Sequence, residues 1–248
     1  MAISTFKRYE KKFLLNEAQY RAILPVLLQH MCLDKFCKDE QEYSISNVYF
    51  DTEQSSIIRH SLSKPFYKEK LRLRSYSLVN SPNCKVFLEL KKKIGGIVTK
   101  RRAVLTLSEA YDFLERGIRP ENNDYLDAQV LNEIAYFLKN NPVKPTAYIS
   151  YDRKALFGQD DSDFRITFDH NIITRRDNVS IEKGRFGEYL LPPDQCLMEV
   201  KVATAFPMWL ANLLSDNQIY VTSYSKYGNE YKQSLLKSEP VYNLQQAV

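Results

Sequence analysis

The stretch KKKIGGIVTKRR, residues 91–102, decides how this chain is read. Two adjacent glycines separate two runs of strand-forming residues. A two-residue primed turn needs positive φ at both central positions, so Gly95-Gly96 predicts a tight hairpin. Ile94 then faces Ile97, Glu89 faces Arg102, and Lys91 faces Lys100. The first charged pair attracts. The second does not, because like charges directly opposed across two strands destabilise a sheet. Such a pairing makes sense where an anion comes to lie between the two ammonium groups.

Working outward, the same pattern recurs. In KEKLRLRSY (68–76) Lys70, Arg72 and Arg74 alternate with Leu71 and Leu73, so a strand here puts the cations on one face and the leucines on the other. In KRYEKKF the shared face holds Arg8, Glu10 and Lys12. In VFLELKK it holds Glu89 and Lys91, in VTKRRAV Lys100 and Arg102, in FRITFD Arg165, Thr167 and Asp169, and in LMEVKV Glu199 and Lys201. An ordinary antiparallel sheet with one solvated face explains any single one of these strands. It explains six of them less well, because a solvated face mixes in more Ser, Thr and Gln. The repeated use of Arg or Lys with an isolated Glu predicts a closed barrel with a charged lumen and helices covering its apolar exterior.

The remaining elements fit an α+β protein dominated by antiparallel strands. Strands are expected at 5–14, SISNVYFDT (44–52), CKVFLELKK, TAYISYDRKAL, FRITFDHNI and CLMEVKV. Asn16 is placed to cap a helix over NEAQYRAILPVLLQH, which Pro25 is expected to kink or divide. Ser108 and Gly117 bracket a short helix, YLDAQVLNEIAYFLKNNP is amphipathic, Pro207 opens another helix, and SYSKYGNEYKQSLL starts a last one. With 248 residues, 44% of them hydrophobic, and no linker or internal repeat, residues 1–248 are expected to form one domain.

Thirty-five Lys and Arg against 30 acids give a net charge of +5, which permits a polyanionic partner without requiring one. The four cysteines form no CxxC pair, the first residues carry no apolar leader, and no run approaches a membrane span. A reduced, cytoplasmic protein is expected, with any membrane association supplied by a membrane-protein partner. No P-loop, no GxGxxG after a strand, no HExxH and no GxSxG elbow occurs, and His30, His60 and His170 are scattered. The 17 tyrosines sit mostly in apolar runs such as YISY and VYF, where packing explains them better than base stacking, so no nucleic-acid partner is expected. Cations lining a lumen with a few carboxylates suit phosphate. Guanidinium and ammonium groups hold phosphate oxygens, and a carboxylate holds Mg²⁺ or Mn²⁺.

These residues resemble the triphosphate tunnel metalloenzyme superfamily (CYTH-like), and within it the vacuolar transporter chaperone (VTC) domain, its polyphosphate polymerase branch. The resemblance runs from about residue 7 to 230. It is carried by RYEKKF (8–13), NVYFDT (47–52), EKLRLRSY (69–76), VFLELKKK (86–93), VTKRRA (98–103), YDRKAL (151–156), RITFD (165–169), LMEVKV (197–202) and SKYGNE (225–230). The superfamily's ExExK strand reads here Arg8-x-Glu10-x-Lys12, which trades a carboxylate for a phosphate-binding cation and fits the polymerase branch. The resemblance implies an eight-stranded antiparallel tunnel. It implies phosphate binding by Lys12, Arg72, Arg74, Lys91, Lys100 and Arg102, with Arg153, Arg165, Lys201 and Lys226 as further ligands. It does not divide Arg153 from Arg165. It implies metal binding by Glu199, with Glu10 and Glu89 assisting it or orienting neighbouring cations. Ser223 stands where the family usually has a second lysine.

The implied activity is a metal-dependent phosphotransferase. Arg72, Arg74, Lys91, Lys100 and Glu199 would serve the transfer of the terminal phosphoryl of ATP to a growing inorganic polyphosphate chain, with Mn²⁺ or Mg²⁺. The attacking phosphate oxygen is already anionic and needs no general base. Eukaryotic members add a phosphate-sensing domain and membrane helices, so regulation and export are expected to come from elsewhere. Two other readings stay open. A triphosphatase or polyphosphatase would release free phosphate from the same tunnel. A non-catalytic polyphosphate or RNA-binding module would bind without metal or turnover.

Overall fold

The computed structural model describes residues 9–37, 42–121, 124–161 and 163–238. The strands are β1 (Tyr9–Asn16), β2 (Met31–Leu33), β3 (Tyr43–Asp51), β4 (Tyr67–Ser75), β5 (Lys85–Ile94), β6 (Ile97–Thr106), β7 (Lys144–Gly158), β8 (Arg165–Arg175), β9 (Glu188–Tyr189), β10 (Gln195–Val202) and β11 (Val221–Thr222). The helices are α1 (Glu17–His30), α2 (Ser56–Leu62), α3 (Leu107–Arg116), α4 (Tyr125–Asn140), α5 (Met208–Asp216) and α6 (Lys226–Ser238).

All strands join one antiparallel sheet in the order β11-β1-β10-β8-β7-β3-β4-β5-β6, with β2 on β7 and β9 on β8. The predicted hairpin register holds: Ile94 pairs with Ile97, Glu89 with Arg102 and Lys91 with Lys100. Gly95 and Gly96 take φ of 53° and 90°, the left-handed region the turn demands. A Cβ on Gly95 would come within 3.0 Å of the Phe66 ring, so its side is closed as well.

The sheet curls. β1 and β5 are six places apart in it, about 29 Å if it were flat. Yet Lys91 on β5 feels the charges of Glu10 and Lys12 on β1 and Glu199 on β10. Register shifts at Tyr49/Phe50 and Ser150/Asp152 mark bulges, which bend strands and increase twist.

Curling does not close it. The eight-stranded closed barrel expected from the sequence is replaced by an eleven-stranded open sheet, because β6 and β11 end the order unpaired with each other. The reason lies at the edges. β11 has two residues and pairs only with Lys12 and Phe13, too little backbone to bridge to β6. β6 runs straight into α3, whose first turn is tied down by Thr106 and Glu109 in a capping box.

Helices also lie on both faces rather than only outside. On the convex face α3 and α4 bury Phe113, Leu131, Ile134 and Phe137 against Leu71, Leu73, Leu88 and Leu90. There α1 and α5 bury Ile23, Leu27, Leu210 and Leu214 against Phe13, Phe168, Met198 and Val200. Each such side chain taken fully from water contributes about 1.5–3 kcal/mol. A third cluster fills one end of the concave face. There Ile58 of α2 and Tyr227 of α6 meet Ile45, Tyr49, Ile149, Tyr151 and Leu197.

Several local expectations shift. Helix α1 runs unbroken through Pro25, with Asn16 and Gln19 forming the capping box. The α3 cap is Thr106, not Ser108, while Gly117 ends that helix at φ 70° as expected. Helix α2 was not anticipated; its N-terminal amides are capped by Asp51, whose Oδ1 accepts from the Ile57 amide and Oδ2 from the Ile58 amide, each at 2.9 Å. Arg8 lies outside the described residues. All four cysteines are free. Among the described residues no helix is long and apolar enough to cross a membrane.

Candidate functional site: a charged cleft on the concave face

Strand parity delivers to the concave face the side chains the sequence assigned to it, and the curl brings the two ends of the row together. The side chains fall into two groups.

The first group lies on β1, β10, β8 and β7. Register sets Glu10 beside Lys201 and Lys12 beside Glu199. Lys12 Nζ reaches Glu199 at 2.9 Å and Glu10 at 3.5 Å. Lys201 Nζ reaches Glu10 at 3.6 Å and Glu199 at 3.9 Å. Helix α6 inserts Lys226, which binds Asp169 and lies 3.6 Å from Glu199. Arg153 grips Asp169 with both Nε (2.6 Å) and Nη2 (2.8 Å). Burial pushes the Glu199 carboxyl up, but Lys226, Lys12 and Lys201 outweigh it and hold it well below the carboxylate range. Burial opposes charge on Lys12 and Lys226 too, and neighbouring carboxylates raise both above the ordinary lysine value.

Arg153 and Arg165 can now be told apart. Arg153 spends its guanidinium on Asp169. Arg165 makes 3.5 Å contacts to Asp34 and Tyr43 and lies over the Phe157 ring, while its Nε, like the neighbouring Thr167 hydroxyl, is buried without a hydrogen-bond partner.

The second group lies on β4, β5 and β6. Glu89, with no exposed surface, sits between two guanidiniums, each donating through Nε at 2.6 Å: Arg72 and Arg102. Lys100 is 3.8 Å away. Burial raises the Glu89 carboxyl, and Arg72, Arg74, Lys100 and Arg102 together drive it far down. Arg74 is fixed by Asn47 (2.8 Å), Tyr151 (3.1 Å) and Tyr76 (3.2 Å), and Arg102 lies over the Phe87 ring. Register stacks Lys70 beside Lys91 and Lys91 beside Lys100. No carboxylate lies within ion-pair distance of Lys70 or Lys91 among the described residues. Burial, then neighbouring lysines against a partly offsetting Tyr49, pushes Lys70 down to about 8. Burial and Arg102, against Glu89, likewise bring Lys100 to about 8. Lys91 is open to water inside the cleft, yet its ammonium is also pushed down, first by burial. Tyr49, raised by burial, is brought down to about 8 by Arg72 and Arg74.

Every site residue named from the sequence among the described residues therefore lies on this face. Sequence reasoning missed Asp169 as the anchor of Arg153 and Lys226, and missed Lys70 as an unpaired cation. Both had the right parity. Only the fold shows which neighbours each one has. No cluster of three or more His, Cys, Asp or Glu side chains is placed to hold a metal alone among the described residues. Glu10 and Glu199 do form an adjacent pair of hard oxygen donors. That donor set fits Mg²⁺ or Mn²⁺, which takes one or two carboxylates and completes its shell with water and phosphate oxygens. Glu89 stands apart from that pair, between Arg72 and Arg102 on the other flank of the cleft.

A curled antiparallel sheet carrying this cationic face defines a protein of the triphosphate tunnel class. The chain matches the VTC domain family over residues 7–235 and belongs to it. Proteins of this tunnel class generally use divalent metals. A Bacillus halodurans protein described as a candidate adenylate cyclase shares the fold. It is 16% identical, with a TM-score of 0.52 over 87% of this chain and 92% of that one. A Vibrio parahaemolyticus protein, also described as a candidate adenylate cyclase, is 14% identical with a TM-score of 0.43 over 92% and 97% of the two chains. Comparison with curated protein sequences finds no significant match.

Proposed function

We propose that this chain, acting as one catalytic domain, is a polyphosphate polymerase that transfers the terminal phosphoryl of ATP to a growing inorganic polyphosphate chain. The observation that carries the reading is the imbalance on the concave face. Lys70, Lys91 and Lys100 stand side by side without adequate counter-charge, opposite the Glu10–Glu199 pair.

In this reading Arg72, Arg74, Arg102, Lys91 and Lys100 hold the triphosphate, with Lys12, Lys201 and Lys226 completing the grip from the other side. Arg165, whose Nε lacks a partner, meets phosphate, while Arg153 positions Asp169 and Lys226. Glu89 orients Arg72 and Arg102. Mn²⁺ or Mg²⁺ held by Glu199 with Glu10 supplies neutralisation of charge on the phosphate oxygens. The attacking atom is an anionic phosphate oxygen, so the protein's tasks are in-line positioning and charge stabilisation rather than proton removal. Cations fixed in advance by Glu89, Asn47, Tyr76 and Tyr151 do this without reorganising.

The test is purified protein with ATP and Mn²⁺, products separated by length on a gel. Long metal-dependent chains support the reading. Free phosphate alone would make the protein a hydrolase, and metal-independent binding without turnover would make it a binding module.

A further inference from the structure

Asp51, at the end of β3, is a carboxylate with no exposed surface. Among the described residues it makes no ion pair. Four donors satisfy it instead. The Thr52 amide (2.8 Å) joins those of Ile57 and Ile58 in the first turn of α2, and the fourth donor is the Tyr227 hydroxyl, at 2.8 Å across 176 residues of chain. Burial and the adjoining Asp51 charge hold the Tyr227 proton in place, well above the ordinary phenol range, so Tyr227 stays a donor. Tyr227 follows directly on Lys226, the cation that binds Asp169 and lies 3.6 Å from Glu199. The first turn of α6 is therefore tied twice, by Lys226 to β8 and β10 and by Tyr227 to the end of β3. The Tyr227 ring also lies nearly flat on Tyr49, with centroids 4.6 Å apart at 16°. Helix α2 backs the same turn closely, since a Cβ on Gly228 would come within 3.2 Å of Leu62. A lysine is a charge on a flexible four-carbon stem, and it becomes a fixed ligand only where its backbone is fixed. The Asp169 contact holds the Lys226 ammonium. The Asp51–Tyr227 bond holds the backbone that carries it.

We propose that Asp51 is a positioning residue: through the Tyr227 hydroxyl it sets the first turn of α6 so that the Lys226 ammonium meets the bound phosphates. The proposal rests on the polymerase reading for Lys226 as a phosphate ligand. Without the tie, the turn is seated correctly in a smaller fraction of molecules, and apparent affinity falls by that fraction.

The experiment measures tripolyphosphate affinity well below the melting temperature, and melting itself, for a set of variants of the full chain. Tyr227→Phe keeps the ring and removes the hydroxyl. Its affinity falls about tenfold, the scale of one hydrogen bond to a charged group. Asp51→Asn loses as much, and the double variant loses no more, since the two side chains act as one unit. Asp51→Asn melts earlier than Tyr227→Phe because it also weakens the α2 cap, so affinity and stability part company. In a Lys226→Met background the effect of Tyr227→Phe shrinks to less than about twofold, because the group it positions is gone. Ile134→Val, in the core under the convex face, lowers the melting temperature and leaves affinity unchanged. Unchanged affinity in Tyr227→Phe overturns the proposal. So does an undiminished effect of Tyr227→Phe in the absence of Lys226. So does an affinity loss in Ile134→Val in step with its melting, which would make the tie structural only. Should Asp51→Asn fail to fold, Tyr227→Phe and its cycle with Lys226→Met decide the matter. If ATP yields no polyphosphate while that cycle stays coupled, the polymerase reading fails and the positioning role stands. If long chains form and the cycle is uncoupled, the reverse holds.

Discussion

The two flanks of the cleft use the same residue types to opposite ends. On the β1–β10–β8 flank almost every cation has a carboxylate: Lys12 and Lys201 share Glu10 and Glu199, and Arg153 and Lys226 share Asp169. On the β4–β5–β6 flank one carboxylate, Glu89, serves Arg72, Arg102 and Lys100, while Lys70 and Lys91 have none. A balanced flank is stable by itself and presents oxygen donors. An unbalanced flank is strained until an anion arrives. On the proposed reading, the unpaired cations of β4–β6 carry most of the grip on phosphate, and the carboxylates of β1 and β10 are the ones that would hold the metal.

The comparison can be broken at its strongest point first. Glu89→Gln removes the only counter-charge of the unbalanced flank. Breaking a buried pair by deleting one partner costs about 3–5 kcal/mol. At about 2–4 °C per kcal/mol for a chain of this size, the melting temperature should fall by roughly 6–20 °C. Triphosphate should restore more of the loss than it adds to wild type. A variant that melts like wild type, or gains nothing extra from triphosphate, would show that the flank was never short of negative charge.

Glu199→Gln tests the other flank. Metal-dependent turnover should fall by about 10²–10³, the usual cost of one electrostatic group acting at a developing charge. Nucleotide should still bind weakly. Titration of Mn²⁺ against rate is the measurement, and an unchanged metal dependence removes Glu199 from the metal site.

The depressed lysines give a pH signature. Lys70 and Lys100 titrate near 8 in the folded protein, against about 10.4 in an unfolded chain. Their charged forms are disfavoured by folding, so the penalty is complete below about pH 8. It is relieved between about 8 and 10.4, and apo stability should rise over that window. Tyr49, near 8, acts in the same direction. Triphosphate needs the protonated lysines, so its affinity should be level to about pH 7.5 and drop at least about tenfold by pH 9. Calorimetry at pH 8 in two buffers should register proton uptake on binding. A flat profile would mean the lysines keep their charge without help.

The smallest effect belongs to Lys100→Met. Lys100 is partly exposed and lies 3.8 Å from a carboxylate already held by two arginines. Its removal should leave apo melting unchanged or slightly higher, within about 0.5 kcal/mol. The shift produced by triphosphate should shrink. An undiminished shift would take Lys100 out of the ligand's reach.

The parts of the molecule that were legible in the sequence are those fixed by local geometry. Gly95-Gly96 determines a two-residue turn, and the turn determines the register of ten residue pairs, the Glu89–Arg102 contact among them. Alternation assigned each strand's faces correctly. Closure was not legible, since parity sorts faces but is silent on whether the first and last strands of a sheet meet. The two-residue β11 and β9 carry no periodicity to detect. The N-cap of α2, Ser55, makes no side-chain cap bond, because the helix is capped by Asp51 at the end of β3. The division of labour between Arg153 and Arg165 depends on where Asp169 lies relative to each, a tertiary fact.

The pairing of β1 with β10 bears on how the protein is born. Lys12 and Glu199 meet across 187 residues of chain. The first strand leaves the ribosome long before its hydrogen-bonding neighbour exists, and contacts this distant in sequence form late and slowly. Until then the backbone groups along β1 lack their strand partner, and Phe13 and Leu15 have only Ile23 and Leu27 of α1 to rest on, a hazard of the kind chaperones attend to. Lys226 arrives later still, so Asp169 and Glu199 wait for this further cation, and the binding face is complete only once α6 has been made and docked, rather than strand by strand.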